Sequence, residues 1–390
     1  MANAEPQEDS HFPWELGVFD AHCHPTDTLS SINDIPNMKA TALTIMATRG
    51  EDQELVLEAA SRYGVTDKDP SGWIRSYQRI IPSFGWHPWF SHQIFDDTEG
   101  NPNVEKNLHY KNALVPTPED DVFIQHLPDP IPLSNLISET RSRLQRHPNA
   151  LVGEIGIDRA FRLPNVWLPH EEENRDPSLT PGSREGRKLS IYRVQLSHQK
   201  LLLKAQLRLA GEMQRPVSVH SVQAHGAVLE VLQDLWAGHE KKVLSKRERK
   251  RRDNDAGSID RDHEEEKAQN SGGSSVPQSL PFPPRICMHS YSGPPDPLKQ
   301  FLHPANPADL FFSFSYAINF SNPSSRKVEE VIKSVPEDRL LVESDLHCAG
   351  QQMDDCLEDI VRSICKLRGW PLDKGIRTLG RNWQRFVFGE

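Results

Sequence analysis

Cysteine is scarce: five residues in 390, an odd number with no CxxC pair, which excludes a disulfide framework and a cysteine-rich zinc site. No stretch approaches the roughly 20 consecutive apolar residues that a membrane span needs. The first residues, Met1 to Trp14, are polar and acidic and lack the apolar core of a secretory signal. Positive charge is also in deficit. With 45 Lys and Arg against 55 Asp and Glu, the formal charge is -10, so no overall basic field draws in a polyanion. A nucleic-acid substrate would have to be held by a local patch or by bound metal. Together these absences predict a soluble protein of the cytoplasm or nucleus with reduced thiols and no membrane partner.

Against that background, eight short apolar runs stand out: Leu16 to Asp20, Ala42 to Thr48, Ile80 to Gly85, Leu151 to Ile157, Pro216 to His220, Arg285 to His289, Leu310 to Ser315 and Leu340 to Asp345. Several lack polar alternation, as strands covered on both faces do. Helical patterns lie between them, at Glu51 to Tyr63, Leu133 to Arg146, Leu189 to Met213, Ala227 to Trp236, Ser324 to Val335 and Met353 to Leu367. Eight alternating units predict an α/β fold closed as a (β/α)8 TIM barrel in one domain over 1–390, with a doubly wound open sheet as the alternative. Apolar content is only 36%, diluted by three Pro-, Gly- and charge-rich loop insertions at 92–132, 161–187 and 238–284. The third holds a basic run from Lys241 to Arg252 followed by acidic Asp262 to Glu266, and its composition predicts disorder. The basic run reads either as a localisation or nucleic-acid patch or as a solvated loop.

The chemistry begins with Asp20-Ala-His22-Cys-His24 at the first run. Period-two geometry puts His22 and His24 on one side of a strand, where two imidazoles suit one metal ion. Cys23 faces the other way and reads as a small core residue. Further ligand-type residues lie at the carboxyl ends of other runs: Glu154, His220, His289 and Asp345. Taken singly, each has a structural reading, as a buried ion-pair partner, a satisfied strand-end histidine or a helix cap. A barrel gathers those ends on one rim, where its active site is built. Several imidazoles with two carboxylates exceed one tetrahedral site, and a carboxylate can bridge, so the set predicts two divalent ions; magnesium, manganese and zinc all stay open.

These residues resemble the TatD family of metal-dependent deoxyribonucleases in the amidohydrolase-like TIM-barrel superfamily. The resemblance rests on Phe19-Asp-Ala-His-Cys-His24, Gly85-Trp-His-Pro88, Gly153-Glu-Ile-Gly-Ile-Asp158, Gln199 through Pro216-Val-Ser-Val-His220, His289-Ser-Tyr-Ser-Gly293, Phe312-Ser-Phe-Ser315, Glu343-Ser-Asp345 and Asn382 to Phe386. It implies that His22, His24 and Asp345 hold one metal and His220 and His289 the second, with Glu154 bridging. It further implies catalytic roles for Glu154, for Asp345 as base toward water, and for His87 as a contact to the scissile phosphate. The chain departs from the family pattern at Val222, where an arginine is usual, at Trp89 in place of a histidine, and at His347 in place of a proline. Losing a guanidinium fork removes a strong phosphate contact, which His347 and His198 are the residues available to offset. Val222, Trp89 and the insertions resemble the fungal branch, some members of which are named as partners of an anaphase-promoting-complex subunit. Three functions follow as expectations: phosphodiester hydrolysis, hydrolysis of another ester such as D-aminoacyl-tRNA, or a barrel serving as a protein-interaction partner.

Overall fold

A computed structural model describes residues 11–66, 77–98, 104–119, 121–167, 175–243, 279–321 and 326–389, together with 100, 171 and 173. Eight strands follow one another: β1 Phe19–Cys23, β2 Ala42–Met46, β3 Ile80–Phe84, β4 Leu151–Asp158, β5 Val217–Val222, β6 Arg285–Met288, β7 Asp309–Ser315 and β8 Leu340–Glu343. They pair in chain order, all parallel, as one eight-stranded sheet. β8 returns to β1 and nearly closes the barrel. The seam is joined past the strand ends, where Asp345 N donates to His22 O at 3.0 Å and His24 N to Leu346 O at 2.8 Å. Around it run α1 Gly50–Tyr63, α2 Leu133–Arg146, α3 Leu196–Glu212, α4 His225–Trp236, α5 Pro295–Phe301, α6 Arg326–Ser334, α7 Gln351–Arg368 and α8 Leu372–Phe388. No helix among the described residues is long and apolar enough to cross a membrane.

The expected runs and the strands coincide to within two residues, except at the first. Trp14–Leu16 forms a 3-10 turn and Gly17 takes φ +92°, which only glycine adopts freely, so β1 starts at Phe19. The third expected helix starts at Leu196 instead of Leu189. Arg193–Val194 is drawn off to pair antiparallel with Leu114–Val115.

Two layers fill the barrel interior, and the strand period separates them. Near the amino ends, Ala42, Ile81, Leu151, Cys287, Phe311 and Leu341 form an apolar plug with Phe19, Trp383 and Phe386. The helix α8 closes that end: Asn382 Nδ2 reaches Leu340 O at 2.8 Å, and Phe386 O accepts from Arg285 Nε at 2.6 Å. Two residues further along the same face, the positions become Thr44, Ser83, Gly153, His289, Ser313 and Glu343, all buried except that Gly153 has no side chain to place. The core is therefore dry and apolar at one end and polar at the carboxyl end.

The first insertion carries helices Lys106–Ala113 and Asp121–Gln125 and the paired segments Ile94–Phe95 and Ile131–Pro132. Tyr110, Leu114, Phe123 and Ile124 give it an apolar cluster shared with Leu163 and Val194. In the second insertion, residues 175–187 are strapped to the loop after β1 through Thr180 N to Asp27 O, 2.9 Å, and Leu29 N to Ser178 O, 3.0 Å. Buried Arg49 ties the strap down by donating to Pro181 O and pairing with Asp27 at 2.9 Å. The predicted disorder of the third insertion falls on 244–278, outside the described residues.

Candidate metal centre

Two glycines allow the centre to form. A Cβ on Gly156, at φ +155°, would stand 2.1 Å from His220 O, and one on Gly153 would press Ser83 Oγ and Ser218 Cβ at 2.9 and 3.1 Å. Without those side chains β4 lies close against β3 and β5, carrying Glu154 into the polar layer. From the other side, α3 holds the strand ends. Gln199 and Gln206, seven residues apart on one face, clamp the backbone of Asp158 and Trp86 through paired amide bonds of 2.7–3.1 Å.

His22, His24, Glu154, His220, His289 and Asp345 are brought together around the two oxygens of Glu154. On the Oε2 side, His22 Nε2 and His24 Nε2 face each other at 3.0 Å, at 3.4 and 3.3 Å from Oε2. Asp345 Oδ1 completes that side, 3.8 and 3.5 Å from the same nitrogens. On the Oε1 side stand His220 Nδ1 at 2.7 Å, His289 Nε2 at 2.8 Å and His87 Nε2 at 3.1 Å. Bonds of about 2.0–2.2 Å from an ion to N or O ligands, at tetrahedral angles, place neighbouring donors about 3.3–3.6 Å apart. The first set brackets that spacing, running from 3.0 to 3.8 Å. The second is tighter, with all three imidazoles at hydrogen-bonding range of Glu154 Oε1. The donor chemistry fits divalent ions on both sides. The potential ligand atoms of His22, His24 and Glu154, of His22, His289 and Asp345, and of His87, Glu154 and His220 each lie within 4.8 Å of one another.

Burial works against every charge here, and the partners decide the outcome. Desolvation would raise the Glu154 carboxyl, but His87, His289 and His22 hold it well below the usual carboxylate range. Desolvation would lower His24 and His289, yet the Asp345 and Glu154 carboxylates around the first and Glu154 beside the second raise both well above the ordinary imidazole value. His22 is lowered by burial and by His289, whose ring stacks on it at 3.9 Å. His87 is pushed down to about 4, chiefly by burial. The carboxylates thus favour the protonated form of His24 and His289, while burial favours the neutral form of His22 and His87.

An outer set of residues, assigned no role by the sequence reading, orients these ligands. Asp158 Oδ2 lies 3.1 Å from His220 Nε2 and also accepts Trp89 Nε1–H at 2.7 Å. Ser218 Oγ bonds His22 Nδ1 at 2.8 Å, so that a proton on Nδ1 leaves the Nε2 lone pair free. Asp20 Oδ1 accepts His22 N within β1 at 3.0 Å and Ser344 N across the seam at 3.1 Å. Glu343 Oε1 accepts Ser290 N at 2.7 Å and faces His289 Nδ1 at 3.6 Å. A signal existed for Asp158: positions 154, 156 and 158 share one face of a strand.

The remaining predicted residues separate. His347 is exposed at the rim, pairs with Asp27 at 2.7 Å and lies with its ring 5.4 Å from that of His24. His198 instead bonds Ser91 O at 2.9 Å, in a buried group with His109. Val222 sits at the end of β5 opposite Asp158. Cys23 is fully buried in the helix-facing core.

A family model for TatD-related DNase matches residues 19–388, nearly the whole chain. The chain belongs to the TatD family. This TatD chain is 33% identical over 376 residues, 95% of it and 98% of the relative, to the Cut9-interacting protein scn1 of Schizosaccharomyces pombe. It is 26% identical over 338 residues, 84% of it and 83% of the relative, to an uncharacterized deoxyribonuclease of Saccharomyces cerevisiae. Among solved structures, a TatD homologue of Escherichia coli superposes with TM-score 0.51 at 19% identity, covering 96% of this chain and 98% of that one. A TatD-family hydrolase of Entamoeba histolytica gives 0.52 at 10% identity, covering 96% and 99%. At those identities the two structures speak for the fold, a TIM barrel, which the strand order also shows.

Proposed function

We propose that this TatD-family hydrolase cleaves phosphodiester bonds with two divalent ions, which His22, His24, Glu154, His220, His289 and Asp345 would hold. The observation that carries the reading is the convergence of His22, His24 and Asp345 on one side of the Glu154 carboxylate, and of His220 and His289 on the other. Ions bound there supply Lewis acidity and a nucleophile from water near neutral pH. Magnesium, manganese and zinc are all compatible with this mixed set. Asp345, held at φ +55° at the end of β8, turns one oxygen to His24 and is the base that takes the proton of the attacking water. His87 Nδ1 accepts Trp89 N–H at 3.2 Å, which puts the ring proton on Nε2; that N–H faces Glu154 Oε1 at 3.1 Å, and a phosphate oxygen entering the site would take it over from the carboxylate.

The test is cleavage of single-stranded DNA by the full chain, stripped by chelator and reloaded with Mg2+, Mn2+ or Zn2+. Activity that returns with metal and is abolished in Glu154→Gln and Asp345→Asn is expected. Cleavage indifferent to metal, or retained at the wild-type rate in both variants, overturns the reading.

Val222 favours a second bond type, because the β5 end offers no guanidinium to a phosphate. A carboxylic ester such as D-aminoacyl-tRNA is then the substrate, and turnover of that ester with DNA left intact decides for it. From the relative named as Cut9-interacting we also propose an anaphase-promoting-complex subunit as protein partner, and with it a nuclear or cytoplasmic location. Co-purification from cells, with and without residues 238–273, tests the partner and the role of that insertion.

A further inference from the structure

At the rim of the barrel stands an aromatic pair that hydrolysis as outlined above does not use. Trp89 follows β3 and Phe161 follows β4, and their rings stack with centroids 4.6 Å apart and planes within 10°. Trp89 stays 36% exposed, the one tryptophan among the described residues that does so. Its only polar atom already has a partner in Asp158 Oδ2. The other oxygen of Asp158 accepts the backbone N–H groups of Ala160 and Phe161 at 2.7 and 2.8 Å. One carboxylate thus fixes both rings, and through His220 it sets them in register with the Oε1 side of Glu154.

An indole with its N–H satisfied has nothing left to offer water, so leaving it exposed forgoes apolar burial. Such a flat, rigid surface suits the π-face of a planar ring. Beside a centre that cleaves phosphodiesters, the ring at hand is a nucleobase, and stacking is tolerant of sequence because every base has such a face. The charge pattern points the same way. The chain is net acidic and lacks the arginine at Val222, so its hold on a phosphate backbone is weak and another source of affinity is needed.

We infer that Trp89 and Phe161 form a stacking subsite for an unpaired nucleobase next to the bond hydrolysed. The inference rests on the phosphodiesterase reading. A second stacked pair, Tyr316 and Phe320, with Tyr316 exposed, follows β7, four strands around the barrel from β3. A single strand crossing the mouth meets an aromatic surface on both sides.

The test compares a thymidylate 12-mer with a 12-mer of abasic residues, using metal-loaded full-length protein. KM for the base-bearing strand is expected to be lower by about 5- to 150-fold, the range that one stacked base supplies. Phe161→Leu is expected to bring that ratio toward one. Tryptophan emission is expected to be quenched by the thymidylate strand in the wild type, with most of the change absent in Trp89→Phe. Equal KM for the two strands, or a Phe161→Leu variant that retains the full ratio, overturns the subsite and leaves hydrolysis standing. If neither strand is cleaved, the hydrolytic reading fails, and emission decides the subsite alone: quenching confined to the base-bearing strand upholds it, and none overturns it. Selectivity for aromatic over aliphatic D-aminoacyl esters, without base dependence, reassigns the pair to an amino-acid side chain and overturns the nucleobase assignment.

Discussion

Replacing Asp158 by Asn should separate the two proposed ion sites, because among the six ligands named this carboxylate contacts His220. Oδ1 accepts two backbone N–H groups, and Oδ2 accepts Trp89 Nε1–H while facing His220 Nε2 at 3.1 Å. Burial would raise the Asp158 carboxyl, yet His220 and Trp89 hold it down to about 2, so it is ionised at any working pH. An asparagine keeps one acceptor. If its oxygen stays with the backbone, its NH2 points at the donors of Trp89 and His220, a buried clash of like groups. Losing charge-assisted hydrogen bonds of this kind costs about 1.5–3 kcal/mol each. Outer-sphere partners of a ligating imidazole are worth about 10–100-fold in metal affinity. We therefore expect one of two metal equivalents to weaken by about 10–100-fold while the other, on His22 and His24, stays within about threefold. Calorimetric titration of the chelator-stripped protein, with far-ultraviolet circular dichroism as a folding control, reads both equivalents. Equal weakening of both, or of neither, would refute the reasoning.

Other perturbations follow from the same geometry. Gly156→Ala puts a methyl group 2.1 Å from His220 O at a φ that L residues avoid, and should lower stability by more than about 3 kcal/mol in urea unfolding; a loss under 1 kcal/mol would contradict the close approach of β4 and β5. Asp20→Ala removes the acceptor for Ser344 N, Ser344 Oγ and His22 N and should cost about 2–4 kcal/mol, whereas Asp20→Asn, which keeps an acceptor, should cost about 1. Equal losses in the two would argue against the seam bonds. Acid should destabilise the first insertion: burial pushes His92 down to about 3 and His109 to about 4. Below pH 6.5 the unfolded chain takes up protons that the folded chain refuses, so stability falls as pH drops from 6.5 toward those values. At pH 5.5 this amounts to about 1.4 kcal/mol per histidine. His92→Leu should flatten the thermal-stability slope between pH 7.5 and 5.5 by that amount, and an unchanged slope would count against a buried neutral His92.

Local pattern carried far in this chain because a parallel barrel repeats one unit. Each strand must be apolar on both faces and each crossover must be helical, so alternation of period two and period 3.6 is written eight times. The boundaries slipped where pattern is silent: at β1, which is delayed by the Gly17 turn, and before α3, where Arg193–Val194 pairs with Leu114–Val115, far back in the sequence. The first insertion, read as loop from its Pro and charge content, contains helices and an apolar cluster because Leu163 and Val194 of a later segment complete its core.

The residue types that can ligate metal, and their places at strand ends, were determined by the sequence alone, as was membership in a recognisable family. Only the tertiary structure decided that two oxygens of one glutamate face two separate sets of imidazoles, since that depends on how closely β4 approaches its neighbours at Gly153 and Gly156. It also decided that Asp158 supports both His220 and the Trp89 and Phe161 pair, and that His198 bonds a carbonyl beside His109. Such contacts join residues tens to hundreds of positions apart, and their energies depend on distance and burial, which a one-dimensional pattern does not encode.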